Sequence, residues 1–129
     1  MKTERGLELL ERVRAVCAPL PETTESIDGF GHTVFKVRGK TYVMMGDGSD
    51  REDAVSLSFK SDKEQQRLLL QQEGKYVKTP YIGQHGWVSI DPKGEPDWDE
   101  LPDLLREAYL KAAPKTAAKQ ALEMFGKQR

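Results

Sequence analysis

The chain has 129 residues, 37% hydrophobic and 32% charged, with 20 basic and 21 acidic side chains and a net charge of -1. That length suits one domain spanning residues 1–129, and that charge balance is not the balance of a strongly basic nucleic-acid binder. No apolar run exceeds a few residues (Leu68-Leu69-Leu70 is typical), so no membrane span is written, and the charged N-terminal stretch has no apolar signal core, so a cytoplasmic location is expected.

Residues 3–17 read as a helix, because Leu9, Leu10, Val13, Val16 and Cys17 fall on one stripe, and Pro19 and Pro21 stop it. Cys17 lies on that stripe, which marks it as a core thiol. As the single cysteine it makes no internal disulfide, and with only His32 and His85 beside it no metal cluster is spelled out. Residues 33–38 alternate as a strand, with Phe35 and Val37 inward and Val34, Lys36 and Arg38 outward. A turn at Gly39-Lys40 and a return strand from Thr41 to Met45 would set Val37 against Tyr42, Phe35 against Met44 and Lys36 against Val43. Gly46-Asp47-Gly48-Ser49-Asp50 reads as a solvated loop, since it lacks the spacing and the closing Glu of a calcium loop.

A third strand is expected at 54–60, with Val55, Leu57 and Phe59 inward. Ser61-Asp62-Lys63-Glu64 has the form of a capping box and opens a helix reaching about Glu73, which Gly74 ends. Extended stretches follow at 75–81 and 87–91, the second with Val88 and Ile90 on one face and Trp87 and Ser89 on the other. A helix over 97–113, starting near Asp99 because of Pro102, and a last helix at 115–125 complete the order α-β-β-β-α-β-β-α-α. The expected fold is α+β: an antiparallel sheet of about five strands with helices packed on one face.

The charges are segregated. Residues 33–46 carry Lys36, Arg38 and Lys40 and no acid, and residues 75–90 carry Lys75 and Lys78 and no acid. Residues 104–129 carry six basic and two acidic side chains, whereas 47–53 carry four acids and 91–103 carry six. A near-neutral total therefore leaves room for a local positive patch. No nucleophile elbow, phosphate loop, dinucleotide fingerprint or zinc motif is present, so no cofactor is expected. The alternation puts Lys36, Arg38, Ser56, Ser58, Lys60 and Trp87 on the sheet face away from the helices. Three cations, two hydroxyls and an indole there resemble a platform for phosphates and stacked bases; the competing reading is that Trp87 packs beneath the cation stems.

The runs Thr33-Val34-Phe35-Lys36-Val37-Arg38-Gly39-Lys40, Ser58-Phe59-Lys60, Thr79-Pro80-Tyr81-Ile82-Gly83-Gln84-His85-Gly86-Trp87-Val88 and Asp97-Trp98-Asp99-Glu100-Leu101 leading to Ala108-Tyr109 resemble the MmcQ/YjbR family of small bacterial proteins. The resemblance covers residues 20–115, in the family's order. It implies a secretion-chaperone-like α+β fold and a DNA-binding role through a double-wing motif, with no catalytic residues. The positions that match the family are Lys40, Lys60, Pro80, Tyr81 and Trp87, while His85 stands where other members often carry a basic residue.

The reading that follows is a non-enzymatic nucleic-acid-binding domain. Lys36, Arg38, Lys40, Lys60 and Lys78 would contact the phosphates of DNA. Tyr81 and Trp87 would stack or pack, and the hairpins at Gly39-Lys40 and Gly83-Gln84-His85 would be wings. The alternative is a protein- or peptide-binding, chaperone-like module, possible as a homodimer, working through an open strand edge or an apolar helix face. A third reading is a small-molecule enzyme with Tyr81 and His85 as an acid–base pair.

Overall fold

The computed structural model describes residues 1, 3–47 and 55–127. The elements in chain order are α1 (Glu4–Cys17), β1 (Thr23–Ile27), β2 (Thr33–Val37), β3 (Lys40–Asp47), β4 (Val55–Phe59), α2 (Lys63–Leu70), β5 (Tyr76–Lys78), a single 3-10 turn (Ile82–His85), β6 (Val88–Ile90), α3 (Leu101–Ala112) and α4 (Lys115–Lys127). The strands form one antiparallel sheet in the order β1-β2-β3-β4-β6-β5. The α+β expectation holds, with six strands in place of about five.

The added strand is β1. Its sequence, Thr-Thr-Glu-Ser-Ile, has no apolar alternation, and four of its five residues are exposed. It is an edge strand fixed by its ladder to β2 and by two side chains on the helix side: Thr23 Oγ1 lies 2.8 Å from the Tyr42 hydroxyl, and Glu25 takes a two-point contact from Arg14 of α1 at 2.7 Å.

The β2–β3 hairpin turns one residue earlier than its sequence indicates. Val37 pairs with Lys40, so Arg38 and Gly39 form the turn, with φ of 47° and 80°. Two positive φ values belong to a type I′ turn, whose twist matches that of the strands it joins. The expected pairs Val37–Tyr42, Phe35–Met44 and Lys36–Val43 are replaced by Lys36–Thr41, Phe35–Val43 and Val34–Met44. A bulge between Phe35 and Lys36 absorbs one extra residue on β3. Tyr42 and Val43 are consequently both buried, Met45 joins the core, and Met44 lies half-buried on the opposite face beside Val34.

One core fills the space between the sheet and the helices. Phe35, Val37, Tyr42, Leu57, Phe59 and Val88 meet Leu10, Val13 and Cys17 of α1 and Leu101, Leu105, Ala108 and Tyr109 of α3. The Tyr42 and Tyr109 rings meet edge to face at 5.4 Å. Helix α4 folds back along α3, with Ala117 and Ala121 inward and the Arg106 guanidinium over the Phe125 ring. Burial pushes the Cys17 thiol up to about 12, as expected of a core thiol.

Several boundaries differ from the sequence reading. Asp62 caps α2, its carboxylate accepting from the Gln65 N–H at 2.8 Å, while Ser61 is buried before it. That helix ends at Leu70. The extended stretch after it is paired only over Tyr76–Lys78. Pro102 falls in the first turn of α3, where its missing N–H costs nothing. Gly46 and Asp47 belong to β3; Gly48, Ser49 and Asp50 lie outside the described residues, as does most of the acidic stretch 47–53. Among the described residues, no helix is long and apolar enough to cross a membrane.

Candidate nucleic-acid interface

The antiparallel order sends alternate connections to opposite ends of the sheet. The Arg38-Gly39 turn, the exit of β4 at Lys60 and the β5–β6 connection at 79–87 all fall at one end. Lys60 N–H donates to Tyr42 O, and Thr79 N–H faces Trp87 O, which ties these pieces together. Arg38, Lys40, Lys60, Lys78, Tyr81, His85 and Trp87 are thus gathered, with Lys36 one step further along β2. At the other end lie Asp47, Asp91 and the segment through Glu95, Asp97, Asp99 and Glu100.

The cations at the first end are unequal. Arg38 Nε donates to Glu22 Oε1 at 3.0 Å, so its charge is already partnered. Lys36, Lys40, Lys60 and Lys78 form no ion pair among the described residues. Lys40 and Lys78 are exposed, and Lys36 and Lys60 half-buried. The Lys78 stem lies over Gly83, where a Cβ would come within 2.6 Å of Lys78 Cγ; glycine there makes room for the lysine.

The open platform of the sequence reading is only partly present. Ser58 and Trp87 are 7% exposed. The Ser58 hydroxyl lies 2.7 Å from that of Ser89, which lies 2.9 Å from Thr79 Oγ1. These three hydroxyls satisfy one another beneath the surface and leave no face for a ligand. Trp87 and Val34 are buried outside the helix-covered core, so the indole packs.

Tyr81 has the opposite placement. It is 93% exposed, with φ 63° and ψ -67°. The Ile82 N–H donates to Pro80 O at 2.7 Å, which closes a γ-turn of the uncommon, strained hand around it. Such a conformation costs a residue with a side chain on the order of 1–3 kcal/mol and persists only where the surroundings enforce it. Three features enforce it here. Buried Gln66 of α2 donates its amide to Gly83 O and Trp87 O, both at 2.8 Å. Gly86, at φ 97°, sits against the Ser61–Asp62 backbone, where a Cβ would come within 2.8 Å. The Gly83 N–H donates to Thr79 O at 2.9 Å. His85 is exposed on the 3-10 turn that follows.

Gln66 was not singled out as a functional residue, although its spacing carries a signal. Gln66, Leu69 and Leu70 stand at i, i+3 and i+4, so a polar residue shares the buried stripe of α2 and must find partners there.

The acidic end is closed differently. Thr3 donates its N–H and hydroxyl to Asp47 Oδ2 at 2.7 and 2.9 Å, fixing the start of α1. Lys75 Nζ meets Asp97 Oδ2 at 2.8 Å, and the Tyr76 hydroxyl donates to Glu100. The Asp97 bond holds the Lys75 ammonium above its ordinary value, and Lys75 in turn holds Asp97 below the usual carboxylate range. A cleft of about 260 Å³ opens here between α1 and residues 91–98. Arg5, Glu8, Arg12, Asp91, Glu95 and Trp98 line it, with the Arg12 guanidinium 5.1 Å from the Trp98 ring centre. Among the described residues no group of three or more His, Cys, Asp or Glu side chains is placed to hold a metal ion.

A search of curated proteins returned no match. Among solved structures, the crystal structure of Deinococcus radiodurans protein DR2400, with a DUF419 domain, is similar: TM-score 0.69 and 26% identity over 87% of this chain and 86% of that one. The YjbR family profile matches residues 18–111, which include β1 through β6 and nearly all of α3. The chain therefore belongs to the YjbR family.

Proposed function

We propose that this protein is a non-enzymatic, cytoplasmic nucleic-acid-binding domain whose contact surface is the basic end of the sheet. The observation that carries the reading is the partition of charge: Lys40, Lys60 and Lys78 lie at this end and form no ion pair among the described residues, its acids Glu22 and Asp62 are taken up by Arg38 and Lys111, and the acids of residues 91–100 lie at the far end. A local positive field on a chain of net charge -1 attracts a polyanion and fixes which way round it docks. The Arg38-Gly39 hairpin and the 79–87 loop act as two wings on either side of Lys60. Lys36, Lys40, Lys60 and Lys78 contact phosphates, and Arg38 joins them by exchanging Glu22 for a phosphate oxygen. His85 contributes a hydrogen bond from the second wing, and Trp87 supports that wing from below.

The test is a fluorescence anisotropy titration of a labelled mixed-sequence DNA duplex at 50 and 200 mM salt. About five phosphate contacts give a log–log salt slope near -4.5, and so roughly a 500-fold loss of affinity over that range. Lys40→Glu with Lys78→Glu, both at exposed positions, removes most of the binding and leaves the fold intact. Absence of binding tighter than about 100 μM at 50 mM salt, the weak limit of ordinary non-specific affinity, refutes the reading.

One observation favours a second reading. Edge strand β1 has no partner on its outer side among the described residues, and Ile27 at its end and Phe30 in the loop after it are 71% and 89% exposed. An extended peptide, or β1 of a second copy, would add to that edge. A complex that is insensitive to salt and lost on Ile27→Lys supports this module in place of the first.

A further inference from the structure

Tyr81 is the most exposed of the large hydrophobic side chains among the described residues, and it is held in a backbone conformation that only glycine adopts without strain. A ring with no packing role would relax into an ordinary turn, yet Gln66, Gly86 and the Thr79–Gly83 bond pin the loop on both sides of it. The result is a rigid aromatic post, with few rotatable bonds to freeze on binding, standing between Lys78 and His85. Its faces are open to solvent, whereas the nearby indole of Trp87 is buried and unavailable.

Resting on the nucleic-acid reading above, we infer that Tyr81 stacks on an unpaired base, so that the preferred ligand of the basic end is single-stranded nucleic acid. An aromatic face recognises a base only where that base is unstacked from its neighbours, which a strand supplies freely and a duplex does not. The lysines track the backbone while the ring takes one base, without hydrogen bonds that would read its identity. A phosphate surface alone gains nothing from an exposed ring on a strained turn; a stacking site gains from both, because the rigid turn removes the entropy of positioning the ring.

The test compares Tyr81→Gly and Tyr81→Trp with the unmodified protein, using a labelled mixed-sequence 12-nucleotide strand and a 12-base-pair duplex at 50 mM salt. Glycine removes the ring and relieves the positive φ, so Tyr81→Gly is expected to keep or raise the thermal midpoint. It is expected to lose about 5- to 160-fold in affinity for the strand, the range of one base–aromatic stack, with duplex affinity unchanged. Tyr81→Trp is expected to retain strand binding. Equal loss on strand and duplex, or no loss on either while both still bind with a steep salt slope, overturns the inference and leaves the phosphate reading standing. Failure of both probes to bind the unmodified protein overturns the two together. A fall in the midpoint of Tyr81→Gly also counts against the inference, since the ring would then be packing.

Discussion

The two ends of the sheet use their polar groups in contrasting ways. At the acidic end charge is spent on closure: Thr3 with Asp47, Lys75 with Asp97 and Tyr76 with Glu100 tie segments far apart in the chain. At the basic end the second wing is held by neutral groups, namely the Gln66 amide, the Ser58–Ser89–Thr79 hydroxyls and two close-fitting glycines; charge is used there in the Arg38–Glu22 and Lys111–Asp62 pairs, while Lys36, Lys40, Lys60 and Lys78 form no ion pair among the described residues. Neutral scaffolding beneath unpaired charge is what a surface for a charged ligand requires, since charges used as struts are no longer available to the ligand.

This contrast can be broken by mutation, and the scale is set by a residue common to both ends. Leu57 is 1% exposed at the middle of β4, and Leu57→Ala is expected to cost roughly 2–5 kcal/mol by chemical denaturation. A loss below about 1 kcal/mol would place it outside the core. Next comes the neutral scaffold. Gln66→Ala strips two buried carbonyls of a donor while each keeps a backbone partner, so about 1–3 kcal/mol is expected, together with faster amide exchange confined to 79–87. Exchange that accelerates throughout the sheet would mean that Gln66 supports more than the wing.

At the acidic end Lys75→Met is expected to lower stability less than Gln66→Ala does, because the pair is partly exposed and screened. A larger loss would show that this end depends on its ion pairs more than exposure implies. The smallest effect is a response to acid. Asp97 is held low by the Lys75 ammonium and Asp62 by the Gln65 N–H, so each stabilises the fold above its ordinary value near pH 4. That contribution is lost as the pH falls through the lowered values, and the thermal midpoint should drop between pH 5 and pH 3, less so in Lys75→Met. Independently of either end, native Cys17 should resist a thiol reagent until the protein unfolds, and rapid labelling would contradict its burial.

Much of the fold is legible in residue spacing. Val55, Leu57 and Phe59 alternate inward as written, the stripe of α3 is buried as its period requires, and that of α1 is buried at Leu10, Val13 and Cys17 with Leu9 and Val16 half-buried at its margins. The misreadings have local causes. Strand β1 is polar on both faces, so alternation cannot reveal it. The hairpin register depends on a turn that forces Arg38 to positive φ and on a bulge, and neither leaves a mark in hydrophobic pattern. The candidate site was legible as a set of charges but not as a surface. Alternation puts Ser58 and Trp87 on the face away from the helices, yet only the pinned 79–87 loop and its neighbours determine that both are covered. The strain at Tyr81 is invisible in sequence, since Thr-Pro-Tyr reads as an ordinary extended run.

The strand order also has a consequence for synthesis. Strands β1 to β4 each pair with their neighbour in the chain, but β6 must lie between β4 and β5. From the moment Phe59 is made until Val88 follows, the outer edge of β4 has no partner; at the usual rate of translation that interval is about 1.5 to 6 seconds. Leu57 and Phe59 lie on that edge, so a crowded ribosome cluster is where two nascent copies are most apt to join strand to strand. The delay is written into the topology, and no substitution at either end of the sheet shortens it.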